Sequence, residues 1–317
     1  MNRRTFINAA TTTAAATLMH PTAEALAEAA PIPIIDTHIH LFDINRPQGI
    51  PWPPKEEEVL YKTALPPRFR EVTQGLNVVG AIELECSPWL EDNQWVLDVM
   101  AKDDIMVGTI GDLEPDHADF PKHLERFRKN PLFLGIRYGN IWDRDFHQKS
   151  QNAKFIDGAT RLADANMTLD SANPTQELIA DLLRLKDRVP NLRMVLDHLP
   201  RLDLNSAIEK DLRALSKRPG VYLKVSGVLR TVNGEIPKDT KFYKPRLDEL
   251  FDIFGEDRVV YGSDWPHSDR WGHYREALTV VREYFNAKGP AIAEKFFWRN
   301  SVKAYRWIHR SSNQPKS

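Results

Sequence analysis

The chain has one cysteine, Cys86, so no internal disulfide can form and no pair of thiolates can hold a metal. Cys86 lies in an apolar stretch and reads as a small buried side chain, not a nucleophile. An excess of charge is also missing: 43 Lys and Arg are balanced by 44 Asp and Glu, a formal net charge of −1. No field of either sign favours nucleic acid or an anionic membrane, so neither is an expected partner. The densest acidic run, Lys55-Glu56-Glu57-Glu58, reads as a solvated loop. No segment is apolar over the roughly 20 residues a bilayer span needs, so the mature protein is expected to have none. Glycine is absent where a dinucleotide would need it. The first predicted strand runs into Asp36-Thr37-His38-Ile39-His40 without a glycine-rich turn, which argues against an open doubly wound sheet.

Residues 1–30 read as a targeting segment. Arg3-Arg4 precedes Phe6-Ile7 and an acid-free, Ala- and Thr-rich stretch to Met19, and Ala25-Leu26-Ala27 offers a small-x-small cleavage site. This is the pattern of a twin-arginine signal, and it predicts export to the periplasm. That route moves folded proteins, which suits a chain that takes up a metal before crossing. Residues 31–317 are then the mature domain. The whole 317-residue chain has an ordinary globular composition, with 42% hydrophobic and 27% charged residues.

From Pro31 onward, short Val- and Ile-rich runs alternate with segments of helical period. The runs are Ile32–Leu41, Val78–Glu85, Met106–Leu113, Phe133–Gly139, Met167–Ala172, Arg193–Leu199, Val221–Gly227 and Val259–Asp264. Apolar stripes such as Phe120/Leu124/Phe127, Leu178/Ile179/Leu182/Leu183 and Leu247/Leu250/Phe251/Phe254 mark helix faces turned to the core. Asn173-Pro174 reads as a helix cap, and Pro219-Gly220 and Gly255 as stops. Eight strands alternating with helices predict a single parallel (β/α)₈ TIM barrel with its active site at the C-terminal strand ends. Two connections are long, Phe42 to Pro67 with Trp52, and Gly139 to Phe155 with Trp142 and His147. Both follow strands, which places them at the catalytic face.

His38 and His40 stand two residues apart at a strand end, so both imidazoles point to the same side. His198 ends the sixth predicted strand and Asp264 the eighth. Strands one and eight become neighbours when the barrel closes, and six is one strand further round. Three imidazoles and one carboxylate can therefore meet at one mouth. That set suits one divalent metal, zinc or manganese, with a water as nucleophile, and the carboxylate can equally take that water's proton.

Six stretches in order carry a family resemblance: Ile34-Ile35-Asp36-Thr37-His38-Ile39-His40, Glu85-Cys86-Ser87-Pro88-Trp89-Leu90-Glu91-Asp92-Asn93, Leu134-Gly135-Ile136-Arg137, Leu196-Asp197-His198, Leu223-Lys224-Val225-Ser226-Gly227 and Gly262-Ser263-Asp264-Trp265-Pro266. The chain resembles the amidohydrolase superfamily, in the amidohydrolase-2 branch that holds sugar-lactone and pyrone-dicarboxylate lactonases. Asn300 and Tyr305 look like that family's closing helix. Members with two metals carry a bridging Lys or Glu on strand four and a His on strand five. Here those strands offer Arg137 and Leu169-Asp170-Ser171-Ala172. The resemblance therefore implies one metal or none. In the metal-free mode, histidines and arginines hold the substrate and the aspartate activates water.

Further candidates surround this set. Arg137 can grip a carboxylate or a lactone carbonyl, or form an ion pair within the barrel. Lys224, inside an apolar strand, must be paired, with Asp264 or with substrate. Glu83 and Glu85 share a strand face, which predicts a cation against them, and Glu85 is the better candidate for substrate contact. Asp170 can replace the missing histidine, and His267 can contact substrate or shuttle a proton. Trp52 and Trp265 can stack on a sugar ring. The expected activity is hydrolysis of a small-molecule lactone. The rivals are a metal-dependent decarboxylase and a non-catalytic carbohydrate-binding barrel.

Overall fold

The computed structural model describes residues 31–201 and 203–316. The expected export signal lies outside them. All eight predicted strands form: β1 (Ile34–Ile39), β2 (Val78–Leu84), β3 (Met106–Gly111), β4 (Phe133–Gly139), β5 (Thr168–Ala172), β6 (Arg193–Leu196), β7 (Val221–Val225) and β8 (Val259–Tyr261). They pair in parallel in sequence order. The sheet closes just beyond β8, where Ile39 bridges Trp265. His40 N donates to Trp265 O and Asp264 N to His38 O, each at 2.8 Å. The closing seam is thus the segment that carries Asp264.

The strands are buried on both faces, as a parallel sheet covered by helices requires. The helices include α1 (Pro66–Val72), α2 (Asp92–Met100), α3 (Phe120–Phe127), α4 (Phe146–Gln151), α5 (Ala153–Asp164), α6 (Gln176–Arg188), α7 (Ser206–Ser216), α8 (Thr240–Phe254), α9 (Tyr274–Ala287), α10 (Pro290–Glu294) and α11 (Asn300–Tyr305). The three predicted stripes lie on α3, α6 and α8. The α6 cap is Thr175, whose hydroxyl accepts from Leu178 N, and not Asn173-Pro174. Asn173 is instead left-handed, with φ 52°, and its amide donates to Asn140 O. Gly255 closes α8 as expected, at φ 70°.

The C-terminal segment seals the barrel. Trp298, Ala304, Tyr305 and Trp307 pack in one cluster with Ile35, Val107, Val195 and Val260. Asn300 Nδ2 donates to Glu256 O and Val259 O, tying α11 to the start of β8. Of the two long connections, the first is pinned by antiparallel pairing of Phe42 with Ala64. The second folds into α4. No helix among the described residues is long and apolar enough to cross a membrane.

Candidate active site

His38 lies in β1 and His40 one residue past it, while His198 and Asp264 lie past the ends of β6 and β8. Extended pairing stops early in those two strands. Both His198 (φ 57°) and Asp264 (φ 66°) are left-handed, which turns their side chains across the mouth. The four groups meet. Asp264 Oδ1 stands 3.5 Å from His38 Nε2, 3.4 Å from His40 Nε2 and 3.9 Å from His198 Nε2. Asp264 Oδ2 faces the other way and accepts from Arg201 Nη2 at 3.0 Å and His267 Nδ1 at 2.9 Å. Two glycines make the approach possible. A Cβ on Gly262 would stand 2.7 Å from the His38 Cβ. Gly227, at φ 59°, would place one 2.3 Å from Arg201 Nε.

Two of the imidazoles are hydrogen-bonded from behind. His40 Nδ1 donates to Leu84 O at 2.8 Å, which leaves the Nε2 lone pair free. His198 Nδ1 bonds Ser226 Oγ at 2.9 Å. His38 Nδ1 faces Asp197 Oδ1 at 3.8 Å. Burial holds His38 and His198 well below the ordinary imidazole value, and for His38 the Lys224 charge adds to it. Burial lowers His40 as well. For Asp264 burial acts upward, but the Arg201 charge and the hydrogen bond from His267 oppose it, and the carboxyl is held well below its usual range. Neutral imidazoles and an ionised carboxylate are the protonation states a metal ion needs.

His38, His40 and Asp264 lie within ligating reach of one another, a donor set that fits a divalent ion. His38 Nε2 is buried with no hydrogen-bond partner among the described residues, although Asp264 Oδ1 stands 3.5 Å from it. Ligand atoms about 2.0–2.1 Å from zinc are about 3.3 Å apart in a tetrahedron. The separations from Asp264 Oδ1 run from 3.4 to 3.9 Å. Asp197 also lies near His38 and His198, but Lys224 Nζ takes it at 3.0 Å. It stands behind His38 at 3.8 Å, beyond hydrogen-bond length, with Lys224 as its cation.

His40, His198 and Asp264 open onto a cleft of about 540 Å³, with His38 buried behind them, and its lining includes Trp52, Arg137, Asn140, Trp142, Arg144 and Asn173. Residues 35–307 match the amidohydrolase family. The chain belongs to that family. Within its relatives, an L-fucono-1,5-lactonase of Burkholderia ambifaria is 27% identical over 290 residues, covering 88% of this chain and 98% of its own length. A second L-fucono-1,5-lactonase, from Burkholderia multivorans, is 21% identical over 286 residues, covering 83% and 92%. An amidohydrolase of Burkholderia multivorans, solved with bound zinc, has a TM-score of 0.76 at 19% identity and covers 87% of this chain and 100% of its own. At that identity the structural likeness is one of fold.

Within this amidohydrolase fold the other predicted residues separate into two groups. Arg137 and His267 line the cleft. Arg137 is braced on Asp197 at 3.4 Å and Glu85 at 3.8 Å, so its two expected roles, cleft wall and barrel ion pair, coexist. Glu85 sits behind that wall. Its Oε2 accepts from Trp142 Nε1 at 2.9 Å, and burial followed by the Asp112 charge pushes its carboxyl well up. Lys224 and Asp170 are not at the mouth. Lys224 is fully buried and pairs with Asp170 at 2.7 Å and Asp197 at 3.0 Å, not with Asp264. Asp170 also accepts from Tyr305 Oη at 2.7 Å.

Glu83 has no guanidinium or ammonium at pairing distance among the described residues. Thr109 donates to it, and burial raises its carboxyl to about 8, so the strand face is neutralised by protonation. Trp265 is fully buried against Phe69 and cannot reach a substrate, whereas Trp52 lines the cleft. Cys86 is buried and raised well above its usual value, as an inert thiol should be. Sequence reading passed over Arg201 and Arg144, and it placed Trp142 at the catalytic face without giving it a role. Arg201 had a local signal, since it follows His198 by three residues on the same turn. Arg144 and Trp142 lie in a connection whose path only the folded chain defines.

The buried Lys224 pair makes a measurable claim. Lys224→Met leaves Asp170 buried without a cation and Asp197 with Arg137 alone, and it should lower unfolding free energy by about 3–5 kcal/mol in urea titrations. A change below about 1 kcal/mol would show that the two carboxyls are held protonated and need no cation.

Proposed function

We propose that this amidohydrolase opens a small lactone, a cyclic ester of a sugar acid or a related acid, around one divalent ion. The observation that carries the reading is the convergence of three imidazole Nε2 atoms on one Asp264 oxygen at the cleft. The lactonase names of its relatives support the same substrate class. His38, His40, His198 and Asp264 would hold the ion. Bound there, it would supply Lewis-acid polarisation of the ester carbonyl and of the attacking water.

The chain's own groups do the rest. Asp264, ionised and anchored through Oδ2, takes a proton from the attacking water at Oδ1 and returns it to the ring oxygen as the ester bond breaks. Arg137, fixed by two carboxyl groups, points a rigid donor at the cleft and orients the acyl end of the substrate. Trp52 and Trp142 provide apolar faces, and Asn140 and Asn173 polar edges, a mixture suited to a hydroxylated ring.

The test is a panel of sugar-acid and dicarboxylic lactones, read by acid release. Rapid opening of at least one sugar-acid lactone is expected. Release of CO₂ from an aromatic acid, without lactone opening, would replace this reading with the decarboxylase. We propose in addition that residues 1–30 direct export, on the strength of Arg3-Arg4 and the acid-free stretch that follows. Periplasmic protein should lack this segment when its N-terminus is sequenced, and cytoplasmic retention after Arg3→Lys/Arg4→Lys would identify the route.

A further inference from the structure

One set of hydrogen bonds leads from Asp264 away from the cleft. Asp264 Oδ2 and His267 Nδ1 are 2.9 Å apart. On the far side of the ring, Arg270 Nη1 stands 2.7 Å from His267 Nε2. A guanidinium can only donate. Nε2 must therefore accept, and the ring proton must sit on Nδ1, where it points at Asp264. Arg270 is itself held in a fork by Glu57, with Nη2 3.0 Å from Oε1 and Nε 3.3 Å from Oε2. Glu57 belongs to the long connection that follows β1. The same connection carries Trp52, whose ring centre lies 5.5 Å from that of His40 and 6.0 Å from that of His267.

We infer that Arg270 and Glu57 are positioning residues: they lock His267 in its Nδ1–H tautomer, and His267 then holds the Asp264 carboxylate with Oδ1 turned to the three imidazoles. In the opposite tautomer a ring lone pair would face Oδ2, and the carboxylate would keep only Arg201 as a donor on that side. Its orientation toward His38, His40 and His198 would then be under-determined. Arg270 is not among the residues that line the cleft, so it acts through His267 and not on substrate. The fork also joins the connection after β1 to the turn after β8, so the loop that brings Trp52 to the cleft and the turn that holds Asp264 are set by one ion pair.

The kinetic consequence rests on the lactonase reading, but the tautomer does not, and the experiment separates them. In protein carrying isotope-labelled histidine, two-bond proton–nitrogen correlations report the tautomer of each ring, and His267→Gln identifies the His267 signal by its loss. Wild type should show Nδ1 protonated and Nε2 bare. Arg270→Met should lose that pattern, and Arg270→Lys, which again offers only donors, should keep it. With a lactone substrate, Arg270→Met should lower kcat about 10- to 100-fold with KM unchanged, as loss of an outer partner does at metal sites. Arg270→Lys should recover most of the rate, and Glu57→Gln should show a smaller loss in the same direction.

A wild-type His267 protonated on Nε2 would overturn the inference whatever the substrate proves to be. So would full kcat in Arg270→Met once its tautomer has changed. The Nδ1–H form in a protein that opens no lactone would remove the proposed activity and leave the lock standing.

Discussion

Asp264→Asn should lower kcat for lactone opening by about 10²- to 10⁴-fold, the range set by loss of a positioned general base. The geometry argues for the upper end. Oδ2 is met by two donors, Arg201 Nη2 and His267 Nδ1. An amide nitrogen in that place would oppose both, so the asparagine should turn its oxygen toward them. Its NH₂ then faces the imidazole Nε2 atoms, where it neither accepts a proton nor ligates an ion. The fold should survive, because the amide is isosteric and can donate to a neighbouring Nε2. Initial rates at saturating lactone, read beside the thermal melting curve, check both halves. A variant with wild-type turnover and an unchanged melt would remove Asp264 from the chemistry.

The second large effect is expected in His38→Ala/His40→Ala. Elemental analysis of protein purified without added metal should find about one zinc or manganese per chain in wild type and none in the variant. Two of four donors are gone, and the remaining pair, His198 and Asp264, is an ordinary weak chelate. Binding that favours the folded state raises stability by mass action, so a chelator should lower the melting temperature of wild type and leave the variant unmoved. Wild-type protein that opens lactones without bound metal would shift the reading to the metal-free mode. There the three imidazoles hold the carbonyl oxygen directly, and the Asp264→Asn loss becomes the only test of water activation.

Much of this was legible along the chain because the signals involved are short-range. A strand covered on both faces needs an unbroken apolar run, and all eight runs became strands. A residue at the C-terminal end of a barrel strand faces the mouth wherever the strand sits. His38, His40, His198 and Asp264 could therefore be grouped before any contact was known. Cys86 was readable for the same reason, since its apolar neighbours predicted its burial.

The charge pairings that sequence reasoning missed are long-range. Lys224 had to be paired, but its partner depended on register across three strands. Asp170 on β5 and Asp197 past β6 reach it, while Asp264, past the end of the neighbouring β8, does not pair with it. Glu83 and Glu85 were expected to meet a cation. Only Glu85 lies within pairing reach of Arg137, at 3.8 Å, and Glu83 is neutralised by desolvation instead. Trp52 and Trp265 looked alike as candidates, yet one lines the cleft and the other is sealed behind the closing seam.

By itself, then, the sequence determined the eightfold alternation, the mouth and the four groups that gather there. All of these follow from side-chain period and from the ends of strands. The tertiary structure alone decided which oxygen of Asp264 faces the imidazoles, which nitrogen of each ring is free, and which cation neutralises which carboxylate. Those choices depend on left-handed turns at His198 and Asp264 and on hydrogen bonds between residues far apart in the chain, such as Glu57 with Arg270. Hydrogen-bond direction is set by the partner on the far side of a group, and that partner exists only once the barrel has closed.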